Sequence, residues 1–331
     1  MASSRRVIVL GGTGTAGRAA VRALLRRNHE VVCFLRLDGA SERMRSDDDV
    51  ANSLAGATLR YGDVTNPISL SSDGFCGEKF DVLVSCLASR TGVPRDAWSI
   101  DYQAHISALN EAKKARVSHI ILLSAICVQK PLLAFQYAKL AFEKALIGSG
   151  PTYSIVRPTA FFKSLSGQID RVRKGKSFLL FGDGMLTACK PISDDDLGEF
   201  LAGCIEDESR HNCILPVGGP GQATTPKQQG EQLFRLLGYE PKFRYVPVPA
   251  MDAIAWTLTA VGRILPSIAE KAELARIGRY YATESMLVWD PVTERYDAAA
   301  TPSIGTETLF DFYARVIRDD VSVERGDHAV F

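Results

Sequence analysis

The sequence has few cysteines, and they show no pairing pattern. Seven of the 331 residues are cysteine, without the paired spacing of a disulfide framework or a zinc site. Cys33, Cys86 and Cys127 lie inside apolar runs. A chain of this length buries roughly three quarters of its unfolded surface and needs no covalent staples. We therefore expect buried free thiols in a reducing compartment.

An excess of charge of one sign and long apolar runs are also missing. Lys and Arg total 39 and Asp and Glu total 38, which gives a net charge of +1. This balance argues against nucleic-acid binding through bulk charge. The longest apolar stretch, residues 120–128, is interrupted by Ser124, whereas a transmembrane helix needs ~18 apolar residues. We expect neither a nucleic-acid partner nor a transmembrane segment.

Histidines are too sparse and too scattered to form a metal site. Their positions show no metal-ligand spacing, and no Ser-His-Asp order can be assigned. We therefore expect no protein-bound metal and no hydrolase activity. The five are His29, His105, His119, His211 and His328.

Short apolar runs alternate with helical patterns between residues 6 and 157. Such alternation is typical of a parallel sheet with crossover helices. The predicted strands are 7–10, 31–35, 58–61, 82–86, 120–123 and 154–156, and the predicted helices are 18–28, 100–115 and 135–147. The pattern predicts an α/β fold with a Rossmann-type, doubly wound parallel sheet.

A glycine-rich turn follows the first predicted strand and precedes a helical pattern. It reads Gly11-Gly12-Thr13-Gly14-Thr15-Ala16-Gly17. Glycines at such spacing allow a tight turn, let backbone N–H groups approach a pyrophosphate, and let helix and strand pack closely. The positive N-terminus of the helix then faces the phosphates. We expect a dinucleotide site made of Gly11, Thr13, Gly14, Thr15, Ala16 and Gly17.

The residue at the end of the second predicted strand favours NADP over NAD. Arg36 stands there, where NAD sites usually carry an acid for the ribose and NADP sites an arginine for the 2′-phosphate. Asp38 keeps the NAD alternative open. Asp63, Ala88 and Ser89 follow the third and fourth strands, at the sheet edge where ligands bind. We expect these three to contact the cofactor, with turn capping as the alternative for Asp63.

The alternation fades after residue 157. We predict a hairpin over 178–187, helix starts at Ser193 and at Thr225-Pro226, a helix end near Gly238, and a strongly apolar helix over 252–265. The polar segment 41–52 is predicted to be a loop. The predicted division is an NADP-binding Rossmann domain over residues 1–157 and a smaller α+β substrate lobe over 158–331, some segments of which return to the sheet.

Ser124 and Lys139 follow an order that resembles the short-chain dehydrogenase/reductase superfamily with its Ser, Tyr and Lys. Phe135 stands where that pattern has tyrosine, and a phenyl ring cannot donate a proton. Tyr137 lies roughly 200° around the helix from Lys139. We expect Ser124 and Lys139 to be catalytic, with Lys139 also binding the nicotinamide ribose. The alternative for Lys139 is a surface pair with Glu143.

Five longer segments resemble the divinyl chlorophyllide a 8-vinyl reductases. They are 83–92 (LVSCLASRTG), 122–135 (LLSAICVQKPLLAF), 155–164 (IVRPTAFFKS), 181–193 (FGDGMLTACKPIS) and 282–291 (ATESMLVWDP). The resemblance implies NADPH-dependent reduction of the C8 vinyl group of divinyl chlorophyllide a to ethyl, in chlorophyll and bacteriochlorophyll biosynthesis, without flavin or iron–sulfur cluster. A non-catalytic NADP-sensing regulator is the alternative, because Phe135 replaces the expected acid.

This resemblance also implies a flat, apolar tetrapyrrole substrate that carries its own Mg. Pro158 ends the sixth strand and is expected at the cofactor, and Phe161 and Phe162 follow where an aromatic wall is needed. Lys163 and Lys190 are candidates for the pigment's propionate. Core packing of the phenylalanines and solvation of the lysines are the alternatives.

The same resemblance bears on location and on membrane contact. Plant members carry a long targeting extension, whereas this chain starts almost at its first strand. We therefore expect a bacterial cytoplasmic protein, or a chloroplast protein whose transit peptide has been removed. The apolar helix around Trp256 is expected in the core, over the pigment, or in peripheral contact with a photosynthetic membrane.

Overall fold

A seven-stranded parallel sheet organises the computed structural model, which describes residues 4–36, 52, 54–262 and 265–319. Its spatial order, β3-β2-β1-β4-β5-β6-β8, reverses between β1 and β4. The predicted Rossmann-type sheet is therefore confirmed, and all six predicted strands are present. The strands are β1 (Arg6–Leu10), β2 (Glu30–Arg36), β3 (Thr58–Gly62), β4 (Val82–Ser85), β5 (His119–Leu123), β6 (Thr152–Pro158), β7 (Phe178–Phe181, outside this sheet) and β8 (Cys213–Val217).

Helices cover both faces of the sheet. A π-helical turn, Trp98–Ala104, joins the third helix to the fourth. The α-helices are α1 (Thr15–Arg26), α2 (Pro67–Ser69), α3 (Pro94–Ala97), α4 (His105–Lys114), α5 (Ala134–Ile147), α6 (Phe162–Leu165), α7 (Ile169–Arg173), α8 (Asp194–Gly203), α9 (Pro226–Leu237), α10 (Val248–Gly262), α11 (Pro266–Thr283) and α12 (Leu309–Arg318).

Side chains of β1 show how the sheet divides the core into two layers. Val7 and Val9 pack in one cluster, with residues of α1 and α8. Ile8 and Leu10 pack in another, with residues of α4 and α5. Alternate side chains of a strand point to opposite faces, so a continuous apolar run such as 7–10 requires helices on both sides.

Two elements of the second half of the chain belong to the layers of this sheet. β8 pairs with β6, and α8 packs against α1 so closely that a Cβ on Gly198 would lie 2.5 Å from the Ala19 carbonyl carbon. The predicted helix start at Ser193 is confirmed, since its hydroxyl accepts the Asp196 N–H. The predicted start at Thr225-Pro226 is confirmed by a capping box.

The predicted hairpin over 178–187 is wrong. β7 pairs in parallel with β9 (Phe243–Val246) rather than with the residues after Gly182. The glycine turn itself is present, with a φ of +58° at Gly182. Edge-to-face packing of Phe178 on Phe243, with ring centroids 6.3 Å apart, stabilises the distant partner that no local turn signal indicates.

The apolar helix predicted over 252–265 is present as α10, which packs against α11. Ala255 is buried, but Ile254, Val261 and Trp256 are exposed, Trp256 to 74%. The expectation that Trp256 packs in the core is therefore wrong. Within the described residues, no helix combines the length and apolarity that crossing a bilayer requires.

Two short antiparallel strands lie in the C-terminal region. β10 (Val288–Asp290) pairs with β11 (Arg295–Asp297).

The predicted loop at 41–52 lies outside the described residues except for Asn52, and Asp38 lies outside them as well.

Candidate active site

The glycine-rich turn lies beside the point where the strand order reverses. Gly11 has a φ of +75°, and a Cβ there would lie 2.7 Å from the Cys86 carbonyl carbon. A Cβ on Gly17 would lie 2.1 Å from the Gly11 oxygen. Gly14 is the N-cap residue of α1, and the first turn of α1 has no acidic residue. This cradle fits a dinucleotide, because its backbone N–H groups and helix dipole favour a pyrophosphate.

Arg36 and Asp63 lie at the adjoining carboxyl ends of β2 and β3. Arg36 is exposed and in register with Gly62, the residue before Asp63. The Asp63 carboxylate accepts hydrogen bonds from the backbone N–H and the hydroxyl of Thr65, at 2.8 and 2.7 Å. Asp63 thus caps a turn, and its contact with adenine stays a prediction.

A cleft of about 640 Å³ opens at the carboxyl ends of β4, β5 and β6. Its lining brings together six residues predicted from the sequence, namely Ala88, Ser89, Ser124, Lys139, Pro158 and Phe161. The remaining lining is predominantly apolar and comes largely from the second half of the chain. The fold therefore joins the predicted cofactor edge to an apolar chamber, as a small-molecule site requires.

Lys139 is anchored inside this cleft by a buried carboxylate. Its ammonium lies 2.9 Å from Asp101 Oδ1, and the two side chains are 11% and 0% exposed. Asp101 also accepts the Ser89 N–H at 3.2 Å and the Ser89 hydroxyl at 2.6 Å. The alternative of a surface pair between Lys139 and Glu143 is therefore wrong. No spacing signal in the sequence pointed to Asp101.

Ser124 belongs to a second buried network. Its hydroxyl donates to Glu143 Oε1 at 2.5 Å, and the Arg157 Nε donates to the same oxygen at 3.2 Å. Arg157 Nη2 also contacts Glu143 Oε2. The Ser124 hydroxyl hydrogen is thus directed towards a carboxylate that an arginine neutralises. Sequence reasoning missed Arg157 and assigned Glu143 a different partner.

The residues around the missing tyrosine occupy different environments. Phe135 is buried, lines the cleft and packs with Ile277. Tyr137 is 50% exposed and its hydroxyl donates to the Pro131 carbonyl at 3.0 Å. Tyr137 is absent from the cleft lining, as its position on the helix predicts.

The two phenylalanines expected at the pigment are separated by the fold. Phe161 lines the cleft. Phe162 is buried in a separate hydrophobic cluster, with its ring centroid 5.4 Å from that of Phe312. The structure thus leaves Phe161 as the aromatic wall residue of this pair.

The two lysines expected at a propionate are not part of the cleft lining. The Lys190 ammonium donates to the Thr301 carbonyl at 2.9 Å and contacts the Ser303 hydroxyl at 3.1 Å. Lys163 interacts electrostatically with Asp194. Both lysines therefore stabilise the lobe around them in this structure.

One wall of the cleft comes from α11, which the sequence analysis did not assign to the site. Leu274, Ile277 and Tyr281 line the cleft. They are spaced by three and four residues and so share one helix face. Burial raises the pKa of the Tyr281 phenol well above its ordinary value, which keeps it protonated. This wall adds a mostly apolar side to the cleft at the sheet edge.

The arrangement suits hydride chemistry on an apolar substrate. It combines a pyrophosphate cradle, an anchored ammonium and a mostly apolar cleft, which together orient reactants and exclude water. In the part of the chain that the structure describes, no group of three or more His, Cys, Asp or Glu side chains is placed to hold a metal ion. All seven cysteines lie in that part and are free thiols.

Comparisons with known proteins agree with this geometry. A family model described as NAD(P)H-binding matches residues 11–208. Among solved structures, the NADPH-dependent quinone oxidoreductase QOR2 of Escherichia coli, complexed with NADPH, is similar with a TM-score of 0.66 and 18% identity, over 94% of this chain and 99% of that chain. That level of identity supports the fold alone.

Curated relatives are much more similar. The chloroplastic divinyl chlorophyllide a 8-vinyl-reductase of Zea mays is 48% identical over 100% of this chain and 84% of its own length. The Arabidopsis thaliana protein of the same name is 48% identical over 96% of this chain and 78% of its own length. The chain is thus an NAD(P)H-binding protein that belongs to the divinyl chlorophyllide a 8-vinyl-reductase family.

Proposed function

We propose that this protein uses NADPH to reduce the C8 vinyl group of divinyl chlorophyllide a to ethyl, giving monovinyl chlorophyllide a. The observation that carries the proposal is the identity of 48% with reductases of that name over the whole chain. The cleft agrees with a flat apolar substrate, because its lining is mostly apolar and it begins at the cofactor edge of the sheet.

NADPH supplies a hydride from its nicotinamide ring when it is bound. Residues 11–17 would hold its pyrophosphate, because the backbone N–H groups of this turn and the start of α1 carry partial positive charge. Arg36 binds the 2′-phosphate at the end of β2. Ala88, Ser89 and Pro158 line the cleft next to this edge and contact the nicotinamide half.

Lys139 provides the fixed positive charge of the site. Its ammonium bonds the nicotinamide ribose while Asp101 holds it at 2.9 Å. Hydride addition to the terminal vinyl carbon leaves negative charge that spreads into the conjugated macrocycle, and the Lys139 ammonium stabilises that charge in a chamber with little water. Ser124, held by Glu143, orients the substrate edge.

The pigment lies between two apolar walls. Phe161, at the end of β6, forms one wall, and Leu274 and Ile277 of α11 form the other. Aromatic and aliphatic side chains suit the faces of a macrocycle, and their contact excludes solvent from the reacting vinyl group.

We also propose that α10 contacts the photosynthetic membrane peripherally. Its apolar side chains Ile254, Val261 and Trp256 are exposed, and α10 packs on α11, which carries cleft residues. Ile254 and Val261, seven residues apart, share one helix face, and exposed apolar side chains on a helix suit contact with a membrane surface. Binding of the wild-type protein to vesicles of thylakoid lipid, reduced by Trp256→Ser, is the expected result; equal binding of both would contradict the proposal.

The free thiols agree with work in a reducing compartment. All seven cysteines are free, as in cytoplasmic proteins. We propose the bacterial cytoplasm as that compartment, although the relatives reported above are chloroplastic proteins. Fractionation of the producing cells, with immunodetection of the protein, tests this placement.

The decisive experiment mixes purified protein, NADPH and divinyl chlorophyllide a without oxygen and separates the pigments by chromatography. We expect monovinyl product and a blue shift of the Soret band with NADPH, and far less product with NADH. Tight NADPH binding with no product from any divinyl pigment would instead support a non-catalytic NADP-sensing regulator, the function that Phe135 leaves open.

A further inference from the structure

The reduction requires a proton donor, and this chain lacks one at the usual place. Phe135 occupies the position of the superfamily's tyrosine, four residues before Lys139, and its ring cannot donate a proton. The Ser124 hydroxyl already donates to Glu143 at 2.5 Å. The Lys139 ammonium is held in an ion pair with Asp101, so an acid on another element that reaches the cleft is the alternative donor.

Tyr281 of α11 reaches the same cleft from a different element. It lines the cleft together with Ser124 and Lys139. Its side chain belongs to the apolar cluster that contains Phe135 and Ile277. Helix α11 thus places a phenol against the cluster that contains Phe135, the residue that stands where the superfamily has tyrosine.

The polar neighbours of this phenol are part of the site as well. Its hydroxyl interacts with the thiol of Cys127, three residues after Ser124. The phenol also interacts electrostatically with Asp101, which pairs with Lys139. Tyr281 is therefore connected to the Lys139 anchor although it lies more than 140 residues further along the chain.

We propose that Tyr281 is the catalytic proton donor of this reductase; the inference rests on the proposed reduction of a vinyl group. Hydride from the nicotinamide forms the new C–H bond at the terminal carbon. The electron pair of the vinyl double bond moves onto the inner carbon and into the macrocycle. The O–H bond of Tyr281 then breaks, a C–H bond forms at the inner carbon, and the phenolate regains a proton from water.

Burial makes the neutral phenol the stable form of Tyr281 in the cleft. The pKa of the phenol is raised well above its ordinary value, with burial as the largest cause. A neutral acid can lie against an apolar pigment at little cost, whereas a charged one cannot. The inner carbon accepts the proton because hydride addition leaves negative charge there and in the macrocycle.

The test compares Tyr281→Phe with wild type and with Tyr137→Phe, a matched control whose hydroxyl donates to Pro131 outside the cleft. Loss of a general acid reduces kcat by about 10²-fold or more. We expect this loss for Tyr281→Phe with unchanged affinity for NADPH and pigment, and wild-type turnover for Tyr137→Phe. A Tyr281→Phe protein with wild-type kcat would overturn the inference.

Stereochemistry separates a proton donor from a merely structural residue. In D₂O, the wild-type enzyme places deuterium on one face of the inner carbon, giving a single CHD configuration. The residual product of Tyr281→Phe takes its deuterium from water and contains both configurations. Deuterium on both faces of the inner carbon in the wild-type product would contradict the assignment.

A second substitution and the wild-type assay keep the test decisive. If Tyr281→Phe does not fold, 4-fluorophenylalanine at position 281 fills the volume of the hydroxyl without an acidic proton, and the same losses are expected. Monovinyl product from wild type shows that the proposed reduction itself holds when Tyr281 fails its test. Absence of product from wild type overturns both the reduction and the role of Tyr281.

Discussion

Lys139 and Asp101 form an ion pair inside the cleft, with 2.9 Å between Nζ and Oδ1 and no exposure of the Asp101 side chain. The two residues come from different segments, since Asp101 lies in the π-helical turn before α4 and Lys139 in α5. The pair converts a flexible lysine into a fixed charge at the cofactor edge. Fixed charges stabilise a developing anion without reorganising during the reaction.

Lys139→Ala should reduce turnover strongly and weaken NADPH binding without abolishing it, because the pyrophosphate turn and Arg36 are unchanged. Removal of one preorganised charge or hydrogen-bond donor costs about 10²–10³-fold in kcat. Lys144→Ala, at an exposed position of the same helix, is the control and should retain wild-type kcat. Steady-state kinetics with NADPH and divinyl chlorophyllide a measure both, and wild-type turnover of Lys139→Ala would contradict the role of the ammonium.

The same ion pair should be visible in the stability of the protein. Breaking a buried pair by removing one partner costs about 3–5 kcal/mol, so Lys139→Met should lower the free energy of unfolding by that order. Arg22→Met breaks an exposed pair with Asp195 and should cost about 0–1 kcal/mol. Chemical denaturation measures the difference, and equal losses in the two variants would show that burial does not matter.

Arg36→Ala should shift the cofactor preference. A hydrogen bond to a charged group contributes about 1.5–3 kcal/mol, so the Kd for NADPH should rise by about 10-fold or more while the Kd for NADH stays the same. Arg235→Ala, at an exposed position of α9, is the control. Fluorescence titration with both nucleotides measures these values, and an equal weakening of NADH would argue against a 2′-phosphate contact.

Acid should destabilise the protein through buried histidines. The His105 ring contacts the Ser85 hydroxyl at 2.9 Å and the Ile100 carbonyl at 2.8 Å, and burial lowers its pKa to about 4. The unfolded chain binds this proton near pH 6.5. Stability from this group is thus present above pH 6.5 and is lost as the pH falls towards 4.

Denaturation at a series of pH values checks this sign. For a lowering of that size, one group contributes about 3 kcal/mol. We expect the loss between pH 6.5 and 4 to be smaller in a folded His105→Gln variant, but not abolished, because burial also lowers the pKa of His119 to about 4. An identical pH dependence of wild type and variant would show that His105 does not contribute.

Sequence patterns predicted most of the sheet because its strands are short, buried on both faces and locally recognisable. β8 escaped prediction for a physical reason. It is the edge strand, it is only partly buried, and it contains Pro216, which edge strands tolerate and which weakens the strand signal. Its pairing with β6 depends on a return of the chain to the sheet after more than 50 residues.

The cofactor turn and the principal cleft residues were also accessible from the sequence. Gly11 and Gly17 were recognisable from their spacing after the first strand. The structure gives the reason for glycine there, since a side chain at either position would overlap the backbone. Lys139 and Ser124 follow the order of a known superfamily, and the structure places both in one cleft. Phe161 was predicted together with Phe162, but only the fold separates the wall residue from the core residue.

The Rossmann-type sheet, the dinucleotide turn and the family were therefore readable from the amino-acid sequence, because each depends on local patterns or on long matching segments. Packing of the folded chain was needed to show that Asp101 holds Lys139, that Glu143 is shared by Ser124 and Arg157, and that Tyr281 enters the cleft. These contacts join segments that are distant along the chain. Their geometry is set by how the helices pack on the sheet, and no spacing within one segment encodes it.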